Sequence, residues 1–155
     1  MWRGWEVMPT EDVHGPIDYV LLEFTGNRLT GRAAEELVNL VERGIIHVYD
    51  VMLVGKDAEG TAYSVDLAES SDQAGGFADF DGARSGILTD DDLTEAAEAM
   101  QPGTLAALIV YENTWAIPFV AAALESGGTL VAGGRIPAED VMAALDALET
   151  LEPTS

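Results

Sequence analysis

The fold is decided by residues 45–67, which have the sequence IIHVYDVMLVGKDAEGTAYSVDL. The segment up to Val54 is rich in β-branched side chains, and apolar and polar side chains alternate from Thr61 to Leu67. This pattern predicts two strands, the second of which has one exposed face. The short connection at residues 56–60 makes the pair antiparallel, so the sequence predicts a β-hairpin in the middle of the chain.

Two further segments, residues 17–24 and 104–111, are almost continuously apolar and predict central strands. Apolar side chains at helical spacing predict helices between these strands and after the last one. The resulting order matches the β-α-β-β-α-β pattern of a ferredoxin-like α+β fold, extended by a further helix-strand-helix with its short strand at residues 129–132. The alternative is a doubly wound α/β fold, which the hairpin disfavours because a purely parallel sheet has no place for an antiparallel pair.

The length of 155 residues favours one folded domain. We expect a flexible N-terminal extension at residues 1–16, a single α+β domain at residues 17–150 and a tail at residues 151–155. Residues 68–86 form the one long irregular stretch inside the domain, and such stretches are usually functional or mobile.

The composition excludes several classes of protein. The chain has 28 acidic and 7 basic residues, a net charge of −21 and no cysteine. Binding to nucleic acid or to an anionic membrane depends on clustered Lys and Arg, so we expect neither partner. No apolar run approaches the roughly 20 residues of a spanning helix. Without cysteine there is no disulfide, thiolate nucleophile or iron–sulfur cluster.

No motif for catalysis or metal binding is present. His14 and His47 are too far apart in sequence to form a metal motif, and alternation along a strand would put His47 and Asp50 on opposite faces. The acidic run at residues 90–92 is better explained as the first turn of a helix, where acids complement the helix dipole. We therefore expect no catalytic residues, no metal site and no cofactor.

Two of the seven basic residues lie around the start of the first predicted helix. Asn27, Arg28 and Arg32 lie in or beside the loop at residues 25–31, and a small anion could bind at the following helix N-terminus. These three are the candidate ligand-binding residues. The alternative is that the arginines only neutralise neighbouring glutamates.

The two predicted central strands are apolar on both faces, whereas a ferredoxin-like sheet has helices on one face only. A partner subunit is expected to cover the second face, which predicts a homodimer.

Three hypotheses for the function follow. The leading one is a non-enzymatic, oligomeric protein that acts through protein–protein contacts or small-ligand binding in a stress-linked or regulatory role. The second is an enzyme of the dimeric ferredoxin-like type with a pocket between sheet and helices, in which His47, Tyr49 or Glu112 would be the acid–base group. The third is an anion-binding module at the loop formed by residues 25–31.

Five segments carry a resemblance to a known group: residues 15–28, 42–50, 56–60, 115–116 and 135–137. Over roughly residues 15–148 the chain resembles an uncharacterised actinobacterial domain-of-unknown-function family of small acidic α/β proteins. The resemblance implies an actinobacterial origin and a small cytoplasmic α/β protein. It implies no activity and no catalytic residues.

Overall fold

The computed structural model of the protein describes residues 13–24, 31–67 and 76–151. The strands are β1 (Ile17–Phe24), β2 (His47–Lys56), β3 (Ala62–Val65) and β4 (Thr104–Glu112). The α-helices are α1 (Arg32–Glu42), α2 (Asp90–Ala99), α3 (Ile117–Glu125) and α4 (Ala138–Leu151). Short 3₁₀ helices lie at Phe77–Ala83 and Thr114–Ala116.

The four strands form one antiparallel sheet in the order β1-β4-β2-β3. The predicted hairpin is present as β2 and β3, and the α+β class is confirmed. The doubly wound alternative is wrong because every neighbouring pair of strands is antiparallel. The ferredoxin-like strand order is not confirmed.

The prediction that residues 17–24 form a central strand is wrong, because β1 lies at an edge of the described sheet. No residue of β1 is buried, whereas nearly all of β4 is. The two charged residues of β1, Asp18 and Glu23, fit an edge position, where one side of the strand is accessible to water.

Each face of the sheet packs against helices of the same chain. One face contacts α1 and the 3₁₀ helix Phe77–Ala83, whose Phe77 and Phe80 are buried with Leu53 and Ile109. The other face contacts α2, and its cluster consists of Met52, Val54, Ala96, Ala97, Met100, Ala106 and Leu108. Helices thus contact both faces within one chain, and the homodimer stays a prediction.

The acidic run at residues 90–92 is the first turn of α2, as predicted. Thr89 caps the helix in a reciprocal arrangement with Asp92, whose carboxylate accepts the Thr89 backbone N–H at 2.8 Å. This arrangement accounts for the acidic run as a helix start.

The described residues divide into two compact units, with the boundary between residues 122 and 123. The second unit contains the end of α3 and the whole of α4. The predicted strand at residues 129–132 is wrong, since residues 128–137 have no regular secondary structure. Glycine pairs at residues 127–128 and 133–134 flank this short apolar run, and glycine weakens strands. In the described part of the chain, none of the helices has the length and apolarity needed to cross a membrane.

Candidate ligand-binding site

An irregularity near the start of β2 sets the geometry of the site. His47 lies opposite Glu112 of β4 and Asp50 lies opposite Val110, with a register shift between them at Tyr49. Because Glu112 and Val110 are two residues apart, they share a face of the sheet, and so do their partners His47 and Asp50. The prediction that His47 and Asp50 lie on opposite faces is therefore wrong, since a β-bulge adds one residue between them.

The bulge brings titratable side chains together around Glu112, which is only 4% exposed. The Tyr49 hydroxyl donates to Glu112 Oε1 at 2.7 Å, and the Gly15 backbone N–H donates to Oε2 at 2.7 Å. His14 Nδ1 lies 3.7 Å from the same Oε2 atom. The His47 ring packs edge-on against Tyr49, with 4.9 Å between the ring centres. The structure thus places the three acid–base candidates together and adds His14 and Gly15 from the segment before β1.

The hydrogen bonds around Glu112 determine which groups carry charge. Burial raises the pKa of Glu112, but the hydrogen bonds from Tyr49 and Gly15 and the nearby histidines outweigh it and lower the pKa overall. The hydrogen bond that Tyr49 donates to Glu112, together with burial, raises the pKa of the Tyr49 hydroxyl. At neutral pH Glu112 is a carboxylate and Tyr49 a neutral donor. Both pKa values are moved away from neutrality, whereas a general acid or base needs a pKa near the working pH.

A second buried carboxylate fixes the chain that follows the 3₁₀ helix. Asp50 is fully buried and accepts three hydrogen bonds, each of 2.9 Å, from Arg84 Nε and from the backbone N–H groups of Val51 and Leu88. These bonds hold residues 84–88 against β2. They also orient the Arg84 guanidinium, whose side chain is 37% exposed.

A cavity of about 510 Å³ opens beside the bulge, between the start of β2 and the end of the 3₁₀ helix. It is lined by Val41, His47, Val48, Tyr49, Phe80, Gly82, Ala83, Arg84 and Ser85. The wall is therefore largely apolar, with the Arg84 guanidinium, the His47 imidazole and the Ser85 hydroxyl as polar groups. Sites for small molecules typically combine such an apolar wall with a few polar groups.

The charge of this wall distinguishes it from two other cavities in the same unit. Arg84 is its one formally charged residue, and no Asp or Glu lines it. A cavity of about 480 Å³ beside α1 has Arg32 on its wall together with several carboxylates. A third cavity, of about 380 Å³, includes Asp92 and Glu95. Arg84 is paired with Asp50 behind the wall, so this cavity is near neutral where the other two are acidic, and an anionic group meets the least repulsion here.

The ligand-binding residues predicted from the sequence are located only in part. Arg32 is the first residue of α1, whereas Asn27 and Arg28 lie outside the described residues. The carboxylates on the Arg32 cavity are Glu35, Glu36, Glu42 and Asp79. They reduce the attraction of that cavity for an anion.

Sequence reasoning missed Arg84 and Ser85. The sequence did contain a signal for Arg84, namely the scarcity of basic residues. The same scarcity singled out Arg28 and Arg32, and Arg84 likewise stands out in the acidic stretch at residues 68–86. Within residues 13–24, 31–67 and 76–151, no group of three or more His, Asp or Glu side chains is arranged to hold a metal ion.

Comparison with known proteins gives a family for the chain. The model of a family of unknown function (DUF6325) matches residues 13–152. The chain therefore belongs to this family. No curated protein and no solved structure matches the chain significantly.

Proposed function

We propose that the protein is a non-enzymatic binding protein for a small organic acid, which it holds in the cavity beside the β2 bulge. The observation that carries this proposal is the wall of that cavity, which presents Arg84 and His47 without a carboxylate in a chain of net charge −21. A carboxylate ligand meets the terminal N–H groups of the Arg84 guanidinium there, and no carboxylate is among the residues of the wall.

The geometry around Arg84 suits a carboxylate. Asp50 bonds the Nε atom, so the terminal N–H groups of the guanidinium remain as donors for a planar, two-oxygen ligand. The ion pair with Asp50 also restricts the guanidinium before the ligand arrives, which lowers the entropy cost of binding. The Ser85 hydroxyl offers a further donor, while Phe80 and Val48 provide apolar surface for the body of the acid.

The chain's overall negative charge does not prevent this binding. Exposed charges farther than a Debye length of about 8 Å are largely screened at physiological salt, so the groups on the wall dominate. Lower ionic strength should weaken the binding of an anion, because the repulsion from distant carboxylates then reaches farther.

The protonation states favour binding over proton transfer. The Glu112 carboxylate already accepts from Tyr49 and Gly15, and its lowered pKa keeps it ionised. The Tyr49 hydroxyl donates its hydrogen to the bond with Glu112, and its pKa is raised. The cluster therefore serves to fix the aromatic side of the cavity formed by Tyr49 and His47.

A titration with benzoate tests the proposal. Benzoate has a carboxylate on a flat apolar ring, and benzamidine has the same shape with a positive charge. Backbone amide shifts of ¹⁵N-labelled protein should move with benzoate at Gly82, Ser85 and Tyr49. Benzamidine should leave these three amides in place.

Variants with equal charge changes supply the control. Arg84→Gln should weaken benzoate binding by about tenfold or more, since a hydrogen bond to a charged group contributes roughly 1.5–3 kcal/mol. Arg43→Gln removes the same charge from an exposed residue at the end of α1 that does not line the cavity. It should leave the affinity within about twofold, as expected for an exposed charge that salt screens and that does not line the cavity. Equal losses in the two variants, or shifts that cluster elsewhere on the protein, would contradict the proposal.

A further inference from the structure

Helix α2 covers only part of the width of the second face of the sheet. Four strands spaced about 4.8 Å apart span about 15 Å, and one helix is about 10 Å wide. Helix α2 packs against β2 and β3, at one side of the sheet. Within the first unit, this arrangement leaves an open groove over β1 and β4 beside α2.

The groove has an apolar floor and an exposed wall. Its volume is about 380 Å³, and Leu21, Leu108 and Val110 lie along it. Tyr19, on the β1 side, lines the groove and is 72% exposed. On the α2 side the small side chains Ala96 and Ala99 line it. Small residues on one helix leave space for a second helix to approach closely.

The rim of the groove is acidic. Asp92 and Glu95 lie one turn apart on α2 and line the same groove as the apolar residues. The chain as a whole carries −21, so the field around the groove attracts cations and basic segments. A second copy of the chain would bring an equally acidic protein to this rim and is disfavoured by the same field.

We propose that this groove docks a basic amphipathic helix of a partner protein. The apolar side chains of that helix, three or four residues apart, would pack along Leu21, Leu108 and Tyr19. Its Lys or Arg side chains would meet Asp92 and Glu95. The partner helix would then lie beside α2 and complete the helical layer on this face. This inference is independent of the ligand cavity, which lies at the β2 bulge.

Fluorescence anisotropy with two designed peptides tests the inference. The first is a fluorescein-labelled, 14-residue amphipathic helix made of Leu and Lys, and the second is its Leu and Glu counterpart. The full chain should bind the Leu/Lys peptide at physiological salt and should not bind the Leu/Glu peptide. Equal binding of the two peptides would overturn the proposed charge complementarity.

Two matched pairs of variants locate the binding. Glu95→Lys, on the rim, should weaken the Leu/Lys peptide by about fivefold or more, whereas Glu98→Lys, exposed on α2 outside the groove, should change it by less than about twofold. Tyr19→Ser should weaken it, and Tyr63→Ser, at an exposed tyrosine of β3, should not. Equal effects within either pair would show non-specific attraction and overturn the proposal.

Light scattering on the chain alone completes the test. A monomer is the expected result. A dimer that Tyr19→Ser disrupts would mean that a second copy occupies the groove, and the proposed partner helix would be wrong.

Discussion

The buried carboxylate of Asp50 gives the sharpest prediction about stability, and the perturbation is Asp50→Asn. In the native protein Asp50 Oδ1 accepts from Arg84 Nε and the Val51 N–H, and Oδ2 accepts from the Leu88 N–H. Asparagine keeps one oxygen. If that oxygen replaces Oδ1, the new amide N–H groups face the Leu88 N–H; in the other orientation both Oδ1 bonds are lost.

The magnitude follows from these contacts. In either orientation at least one backbone N–H loses its acceptor and faces the N–H groups of the buried side-chain amide, at a cost of about 1–3 kcal/mol. The lost charge interaction with Arg84 adds only about 1 kcal/mol, since that side chain is 37% exposed and regains water. The free energy of unfolding should therefore fall by about 2–4 kcal/mol. For a chain of this length the midpoint of thermal unfolding should drop by about 5–15 °C.

Chemical and thermal unfolding followed by circular dichroism measure the effect, with Asp91→Asn as the control. Asp91 is exposed in the first turn of α2, so this control removes the same charge and only a dipole interaction of about 0.3–1 kcal/mol. If Asp50→Asn and Asp91→Asn unfold within about 0.5 kcal/mol of each other, Asp50 does not anchor residues 84–88 as we infer.

Three further predictions test other parts of the account. Because the pKa of Glu112 is lowered, its ionised form stabilises the fold above the unfolded-state pKa, and this contribution is lost as the pH falls through the folded-state pKa. The urea midpoints of wild type and Glu112→Gln should therefore differ at pH 7 and converge in acid. A difference that stays constant with pH would contradict this. Gly15→Ala should destabilise the protein by about 1–3 kcal/mol, because a Cβ there would overlap the backbone carbonyl of Asn113. Gly55→Ala should cost less, because its Cβ would meet only the outer end of the partly exposed Tyr63 ring. Thermal unfolding compares the two variants, and the reverse order of stability would refute the reasoning. Light scattering at physiological salt should show a monomer, because helices of the same chain contact both faces of the sheet and the chain is strongly acidic; a dimer would instead support the homodimer predicted from the apolar strands.

Local sequence patterns predicted the parts of the fold that depend on neighbouring residues. The hairpin is one such part: the Asp57 carboxylate accepts the N–H groups of Glu59 and Thr61 within the turn and closes it locally. The position of β1 depends instead on long-range pairing. An apolar run such as residues 17–24 is compatible with a central or an edge strand. The structure identifies an edge strand because β1 pairs with one neighbour, β4. The predicted strand at residues 129–132 failed because a short apolar run does not form a strand without a partner.

The candidate site was predictable only in its components. His47, Tyr49 and Glu112 were chosen from the sequence as acid–base candidates, but their convergence requires the bulge at Tyr49, which shifts the register by one residue. Such a shift arises from the pairing of β2 with β4, across 63 positions between Tyr49 and Glu112, and no local pattern specifies it. Arg84 was missed for the same reason, since its importance lies in a contact with Asp50 that is distant in sequence.

A crystal structure with 4-bromobenzoate tests the central claim most directly, because the anomalous signal of bromine locates the ligand without ambiguity. The account predicts one bromine position inside the cavity beside the bulge, near Phe80, with the carboxylate on the Arg84 guanidinium. A cavity without the ligand, or a bromobenzoate whose carboxylate binds Arg32 at the start of α1 instead, would contradict it.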